Sequence, residues 1–235
     1  MTDAVLADPA ALAAHAAAWL VDTLAARPGR LAVALSGGST PKAMYEQLAQ
    51  PPLASRMPWD RVHWFWGDER FVPHDDPKSN LRMAREAMLA HVPAPPANIH
   101  PVPTESLSAP DAAQRYQAEL QAFYGGDTLH ADRPLFDVVL LGLGTNGHTA
   151  SLFPGTPALK ERTAWAAAVT PENEPTRITL TYPALESCRD CVFLVAGADK
   201  RDVLARVRAG DPALPASLVH PTGNVHWFTD RAASG

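Results

Sequence analysis

The sequence predicts an α/β protein with a mostly parallel, open sheet covered by helices on both faces, Rossmann-like and doubly wound. Three observations carry that expectation. Short apolar runs alternate with helical segments along the chain, the order in which parallel sheets are assembled. Two of those runs, "LAVALSGG" and "FDVVLLGLG", end in glycines, as strands do when they deliver a loop to a ligand. The chain is 235 residues long and 46% apolar, enough to bury a sizeable core.

In chain order, "MTDAVLADPAALAAHAAAWL" reads as an Ala-rich amphipathic helix. Asp3, Asp8 and His15 interrupt it and its start is not basic, so no secretion signal is expected there. Strand 31–35 runs into Ser36–Thr40 and then the helical "PKAMYEQLA". "RVHWFWGDER" (61–70) is the second strand, and 79–92 a helix with Ser79 placed to cap it. A proline-rich connection over 91–111 leads to a helix from about 111 to 124. Strand "FDVVLLG" follows, then "RITLTY" (177–182), "CVFLVAG", the helix "DKRDVLARVRAG" and the closing strand "NVHWFTD" (224–230). The prolines at 93–103 mark a candidate subdomain edge, but the pattern resumes beyond them, so residues 1–235 are expected to form one domain.

Composition narrows the function classes. A net charge of −5 leaves no broad basic field for nucleic acid, so an anionic substrate must be held by a few local cations. No run approaches the ~18 apolar residues of a membrane span. Two cysteines make no disulfide framework, and the cytosol is the default compartment. Cys188 and Cys191 form a C-x-x-C that leads into a buried strand rather than opening a helix. Two packed thiols are expected, not a redox pair or a zinc site.

Ligands of such sheets bind beyond the carboxyl ends of the strands. Strand 31–35 delivers Ser36, Gly37, Gly38, Ser39 and Thr40 there, with Thr40 suited to an N-cap and Pro41 to the first helical position. Free N–H groups and close-approaching glycines suit a single phosphoryl group or a carboxylate; a tight turn with ordinary capping is the alternative. Strand 62–66 delivers Asp68, Glu69 and Arg70. The two carboxylates face opposite sides, so no paired-carboxylate site is expected. Arg70 is either a fork-shaped anion ligand or half of a surface ion pair.

Gly142, Gly144 and Gly147 spell a G-x-G-x-x-G, yet a dinucleotide loop needs a long helix after the third glycine and an acid ~20 positions on. Pro154 stops the helix early and "WAAAVT" offers no acid. The glycines are instead expected to bend the loop and aim His148 at the strand edge, as a general base or as a structural histidine. Nearby backbone N–H groups are candidate oxyanion donors. Ser151 sits in no nucleophile elbow and is expected to pack a helix.

"ALSGGSTPKAMYEQL", "WGDERFVPHDDPKSNLRMAREAML", "LLGLGTNGHTASLFPGT", "RITLTYPAL" and "FLVAGADKRDVL" together resemble the 6-phosphogluconolactonase family, from about residue 30 to the C-terminal "NVHWFTDRAA". The resemblance implies hydrolysis of 6-phospho-D-glucono-1,5-lactone, with His148 as general base. It also implies a phosphate pocket of Gly37, Gly38, Ser39 and Thr40, with Asp68 and Arg70 as substrate contacts and Arg177 and Lys200 completing the anion clamp. No metal and no organic cofactor are expected, and nothing is implied about oligomeric state. The family usually has aspartate two residues before the histidine; here that residue is Asn146, which can orient an imidazole without supplying charge. Two rivals stand. Glucosamine-6-phosphate isomerase/deaminases carry a glutamate five positions after the histidine, where this chain has Phe153. A non-catalytic sugar-phosphate sensor would bring a DNA-binding segment, and this sequence has no basic helix–turn–helix.

Overall fold

The computed structural model describes residues 2–172 and 174–235. Its strands are β1 (Thr2–Leu6), β2 (Leu31–Leu35), β3 (Val62–Trp66), β4 (Asp68–Arg70), β5 (Phe136–Leu141), β6 (Ala166–Val169), β7 (Arg177–Leu180), β8 (Cys188–Val195) and β9 (Asn224–Asp230). Its α-helices are α1 (Pro9–Ala25), α2 (Ser39–Leu48), α3 (Leu53–Arg56), α4 (Asn80–Ala84), α5 (Ala109–Tyr124), α6 (Tyr182–Glu186), α7 (Arg201–Arg208) and α8 (Arg231–Ser234).

Six strands pair in the order β1-β9-β8-β5-β2-β3, every neighbour parallel. This is the doubly wound class that the β-then-α order predicts. Every residue of β2 is buried, as expected of a central strand covered on both faces. From β2 the chain moves outward to β3; from β5 it moves the other way to β8. The winding reverses between β2 and β5, so their carboxyl ends open a crevice at the switch point.

Two buried tyrosines fix that crevice. Tyr45, on α2, donates its hydroxyl to the Ser36 carbonyl at 2.8 Å and accepts the Ser36 N–H at 3.0 Å. Tyr116, on α5, does the same at Trp66, with distances of 2.9 and 2.8 Å. Each satisfies the backbone where a strand ends, and burial pushes both phenols up from their ordinary value.

The chain start departs from expectation. Residues 2–6 form β1, an edge strand on β9, and the helix begins only at Pro9. Asp8 caps it by accepting the Ala11 N–H at 2.8 Å, and a residue preceding proline disfavours helical backbone, so the Ala-rich periodicity cannot extend through it. The expected strand 61–70 is two strands in two sheets. Gly67 stands between them, donating to the Leu35 carbonyl and accepting from the Leu180 N–H, both at 2.8 Å. There the chain leaves the parallel sheet and enters a three-stranded antiparallel one, β4-β7-β6. Residues 177–180 of "RITLTY" therefore belong to this accessory sheet, whereas Thr181 and Tyr182 cap and open α6, and the Ala-rich neighbour β6 was not expected as a strand.

Other boundaries shift less. Ser79 caps α4, as expected, by accepting the Arg82 N–H at 3.2 Å, but the helix continues as a π turn over 85–89 and stops. Ser108 caps α5 two residues earlier than expected. Cys188 and Cys191 are free and buried within β8, packed as two thiols.

Candidate active site at the switch point

The loops that follow β2 and β5 meet across the crevice. Around them lies a cavity of about 270 Å³ lined by residues that include Gly37, Gly38, Asp68, Arg70, Asn80, Gly144, His148, Arg177 and Lys200.

The β2 loop forms one wall. Gly38 has φ +105°, a backbone that side-chain-bearing residues rarely adopt, and it rather than Thr40 is the N-cap of α2. The cap carries no side-chain hydrogen bond, so the first-turn N–H groups keep their outward direction and the helix dipole behind them. Ser39 and Thr40, expected in the phosphate pocket, are not among the residues that line the cavity. Gly37 is needed for close approach, since a Cβ there would stand 2.2 Å from Oδ1 of Asn80. Asn80, unexpected from the sequence, is buried and donates its amide to the Asp68 carbonyl at 2.9 Å. Its position as the first residue after the Ser79 cap was the available signal.

The β5 loop presents His148. Gly144 lies directly beneath the imidazole: a Cβ on it would come within 2.1 Å of the ring. Asn146 Oδ1 accepts from His148 Nδ1 at 2.6 Å and from the His148 backbone N–H at 3.2 Å. The second bond fixes the amide with its oxygen toward the ring, so Nδ1 carries the proton and Nε2 is left as the acceptor. Burial lowers the His148 pKa; Asp68 opposes that shift, and Arg177 and Lys200 add to it. Phe153 packs on the imidazole with ring centroids 4.3 Å apart. A neutral, oriented histidine results.

Three backbone N–H groups of this loop turn inward: Gly144 donates to the His148 carbonyl and Gly147 to the Gly144 carbonyl, both at 2.9 Å, and His148 donates to Asn146. One expectation about this loop needs correction. Ser151, expected to pack a helix, bonds to the accessory sheet. It sits in a turn, fully buried, and donates its hydroxyl to Asp68 Oδ2 at 2.6 Å while its N–H donates to Thr179 Oγ1 at 3.1 Å.

The accessory sheet and the end of β8 supply charge. Arg70 and Arg177 are register partners on β4 and β7. Nη1 of Arg70 donates to the Lys78 carbonyl at 2.8 Å, whereas Arg177 reaches Glu174 at 2.7 Å and Asp68 at 3.9 Å. The Nε of each arginine is buried without a hydrogen-bond partner among the described residues. Lys200 enters from the turn after β8, beyond Gly197, with its ammonium 3.2 Å from Asp199. Glu69, facing away as strand alternation predicts, accepts from the N–H groups of Asn80 and Leu81, each at 2.7 Å, and so anchors the start of α4.

The sequence profile described as "Glucosamine-6-phosphate isomerases/6-phosphogluconolactonase" matches residues 7–227. The chain belongs to this family. Within it, a 6-phosphogluconolactonase of Nostoc sp. is 43% identical, covering 97% of this chain and 95% of the relative. One from Synechocystis sp. is 46% identical, covering 88% and 85%. Among solved structures, 6-phosphogluconolactonase from Trypanosoma cruzi superposes with a TM-score of 0.87 at 30% identity, over 99% of this chain and 95% of that one. A monomeric glucosamine-6-phosphate deaminase reaches 0.84 at 21% identity, covering 100% and 99%, and shares the fold.

Proposed function

We propose that the chain hydrolyses 6-phospho-D-glucono-1,5-lactone to 6-phospho-D-gluconate, with His148 as general base. One observation carries the mechanism: an imidazole locked by Asn146 through Nδ1, and kept neutral by burial, faces a cavity walled by three cations. In this scheme Nε2 takes a proton from water as the water oxygen adds to the lactone carbonyl carbon. The resulting oxyanion is balanced by the cations of the cavity. Collapse breaks the bond from that carbon to the ring oxygen, and the imidazolium returns its proton to the departing oxygen. General-base help is worth ~10²–10⁴-fold, and fixed charge aimed at an oxyanion ~10²–10³-fold.

A lactone is an activated ester, so the scheme needs no covalent nucleophile, metal or organic cofactor. Arg70, Arg177 and Lys200, with the first-turn N–H groups of α2, are the proposed clamp for the phosphate. The cytosol is the proposed compartment; no helix among the described residues is long and apolar enough to cross a membrane.

The aldose–ketose reading is disfavoured by Phe153, whose ring packs on His148 where the deaminase resemblance calls for a carboxylate. The test is a rapid assay with freshly prepared lactone, corrected for spontaneous hydrolysis. Acceleration over buffer is expected. Its failure would overturn the lactonase and leave a sugar-phosphate sensor.

A further inference from the structure

A second cavity opens at the opposite end of the same strands. It has a volume of about 490 Å³ and is lined by residues that include Arg27, Arg30, Arg133, Arg189, Phe123 and Asp137. Arg30 immediately precedes β2 and Asp137 lies at the start of β5. With five residues of β2 between the two ends, this basin stands about 17 Å from the catalytic crevice. The size falls in the range of small-molecule sites.

Its cations are not all used by the fold. Arg27 is committed: it pairs with Asp190 and donates to the Asp137 carbonyl at 3.0 Å. Arg189 lies 3.3 Å from Asp137. Arg30 and Arg133 have no carboxylate partner among the described residues. Each instead lies over an aromatic ring, with Cζ of Arg30 4.0 Å from the Phe123 centroid and that of Arg133 4.1 Å from the Tyr124 centroid. Their backbone surroundings hold them there. Nη2 of Arg30 donates to the Phe123 carbonyl at 2.7 Å, and the Tyr124 hydroxyl donates to the Arg133 carbonyl at 2.8 Å. A guanidinium held over an aromatic face is ordered without using up its five N–H donors.

Four guanidiniums thus converge on one exposed concavity in a chain whose net charge is −5. Mutual repulsion makes such a cluster costly unless something anionic is drawn to it. Two carboxylates, Asp137 and Asp190, offset Arg27 and Arg189 only. We propose that this basin is a second anion site, separate from the catalytic crevice, and that it takes a small polyanion bearing phosphoryl groups. Arg30 and Arg133 are its forks, matching paired phosphate oxygens.

Because the catalytic crevice also binds phosphate in the proposed mechanism, the experiment must resolve two sites. Inorganic pyrophosphate is titrated calorimetrically into wild type, into Arg30→Gln/Arg133→Gln, and into Arg70→Ala/Lys200→Ala, with sodium sulfate at equal ionic strength as a parallel arm. The wild-type isotherm is expected to need two sites. The first double variant should weaken one of them at least tenfold and keep the other; the second should do the reverse. If the glutamine pair fails to fold, Arg30→Lys/Arg133→Lys retains charge and stacking while losing the forks, and should still weaken the basin site severalfold. A basin variant that titrates like wild type overturns the proposal. So does sulfate binding the basin as tightly as pyrophosphate does, which would make it a site for an adventitious ion only. Neither readout depends on lactone turnover, so this result and the lactonase assay can fail independently.

Discussion

The two sheets divide the proposed site between them. The parallel sheet contributes the backbone-built walls: the Gly37–Gly38 loop after β2 and the His148 loop after β5, each fixed by hydrogen bonds close to a buried strand end. The small antiparallel sheet contributes the side chains of Asp68, Arg70 and Arg177. The hydrogen-bonded loop holds the imidazole, which must meet a reacting atom within tenths of an ångström, while the arginines bring charge. Loss of His148 from the first region should fall on turnover, and loss of Arg70 from the second chiefly on binding of the phosphorylated lactone.

The largest expected effect comes from His148→Ala, which should lower kcat by ~10²–10⁴-fold with little change in KM, measured by initial rates corrected for buffer hydrolysis. Near-wild-type turnover would remove His148 from the chemistry and break the division. Arg70→Ala should act on the other side of it. Losing a charge-assisted hydrogen bond, worth ~1.5–3 kcal/mol, should raise KM for the phosphorylated lactone roughly 10- to 100-fold and change the unphosphorylated lactone much less. Equal losses on both substrates would mean that Arg70 does not read the phosphate.

A smaller effect sharpens the picture within the His148 loop. Burial already lowers the His148 pKa, so the acid limb of the wild-type pH–rate profile should lie below the ordinary histidine value. Asn146→Asp places a negative charge 2.6 Å from Nδ1, which favours the imidazolium and raises that pKa. A base must be neutral, so the acid limb should move to higher pH and the mutant should lose activity there. At alkaline pH, where the ring is neutral either way, the carboxylate can stabilise the imidazolium formed during attack and the mutant should gain. Superimposable profiles from about pH 5 to 9 would show that the contact does not act on the base.

Much of the parallel sheet was legible because several of its strands are apolar runs with glycine at their ends. His148 was legible for the same reason, as the polar residue that follows the glycines of one such run. The accessory sheet was not. Gly67 changes sheets by two backbone hydrogen bonds, and no periodicity marks such a turn within "RVHWFWGDER". β6 is three alanines and a valine, a composition without strand preference, and is held by pairing to β7. Asn80 and the Ser151–Asp68 bond depend on residues 12 and 83 positions apart, and only the fold brings them together. At β1, the Asp8–Pro9 pair was a readable stop that the Ala-rich composition obscured.

The unequal charge of the catalytic cavity bears on how the reaction ends. Arg70, Arg177 and Lys200 line it with one carboxylate, Asp68, while Glu174 and Asp199 pair with two of these cations from beside the lining. Hydrolysis converts a phosphorylated lactone into a product with an additional carboxylate at the bond just cleaved. The same cations must then grip the product harder than the substrate, so departure rather than water attack is expected to limit the catalytic cycle. Screening weakens that grip, and kcat at saturating substrate should rise with added salt before KM becomes unfavourable. A kcat that falls steadily with ionic strength would place the slow step in the chemistry instead.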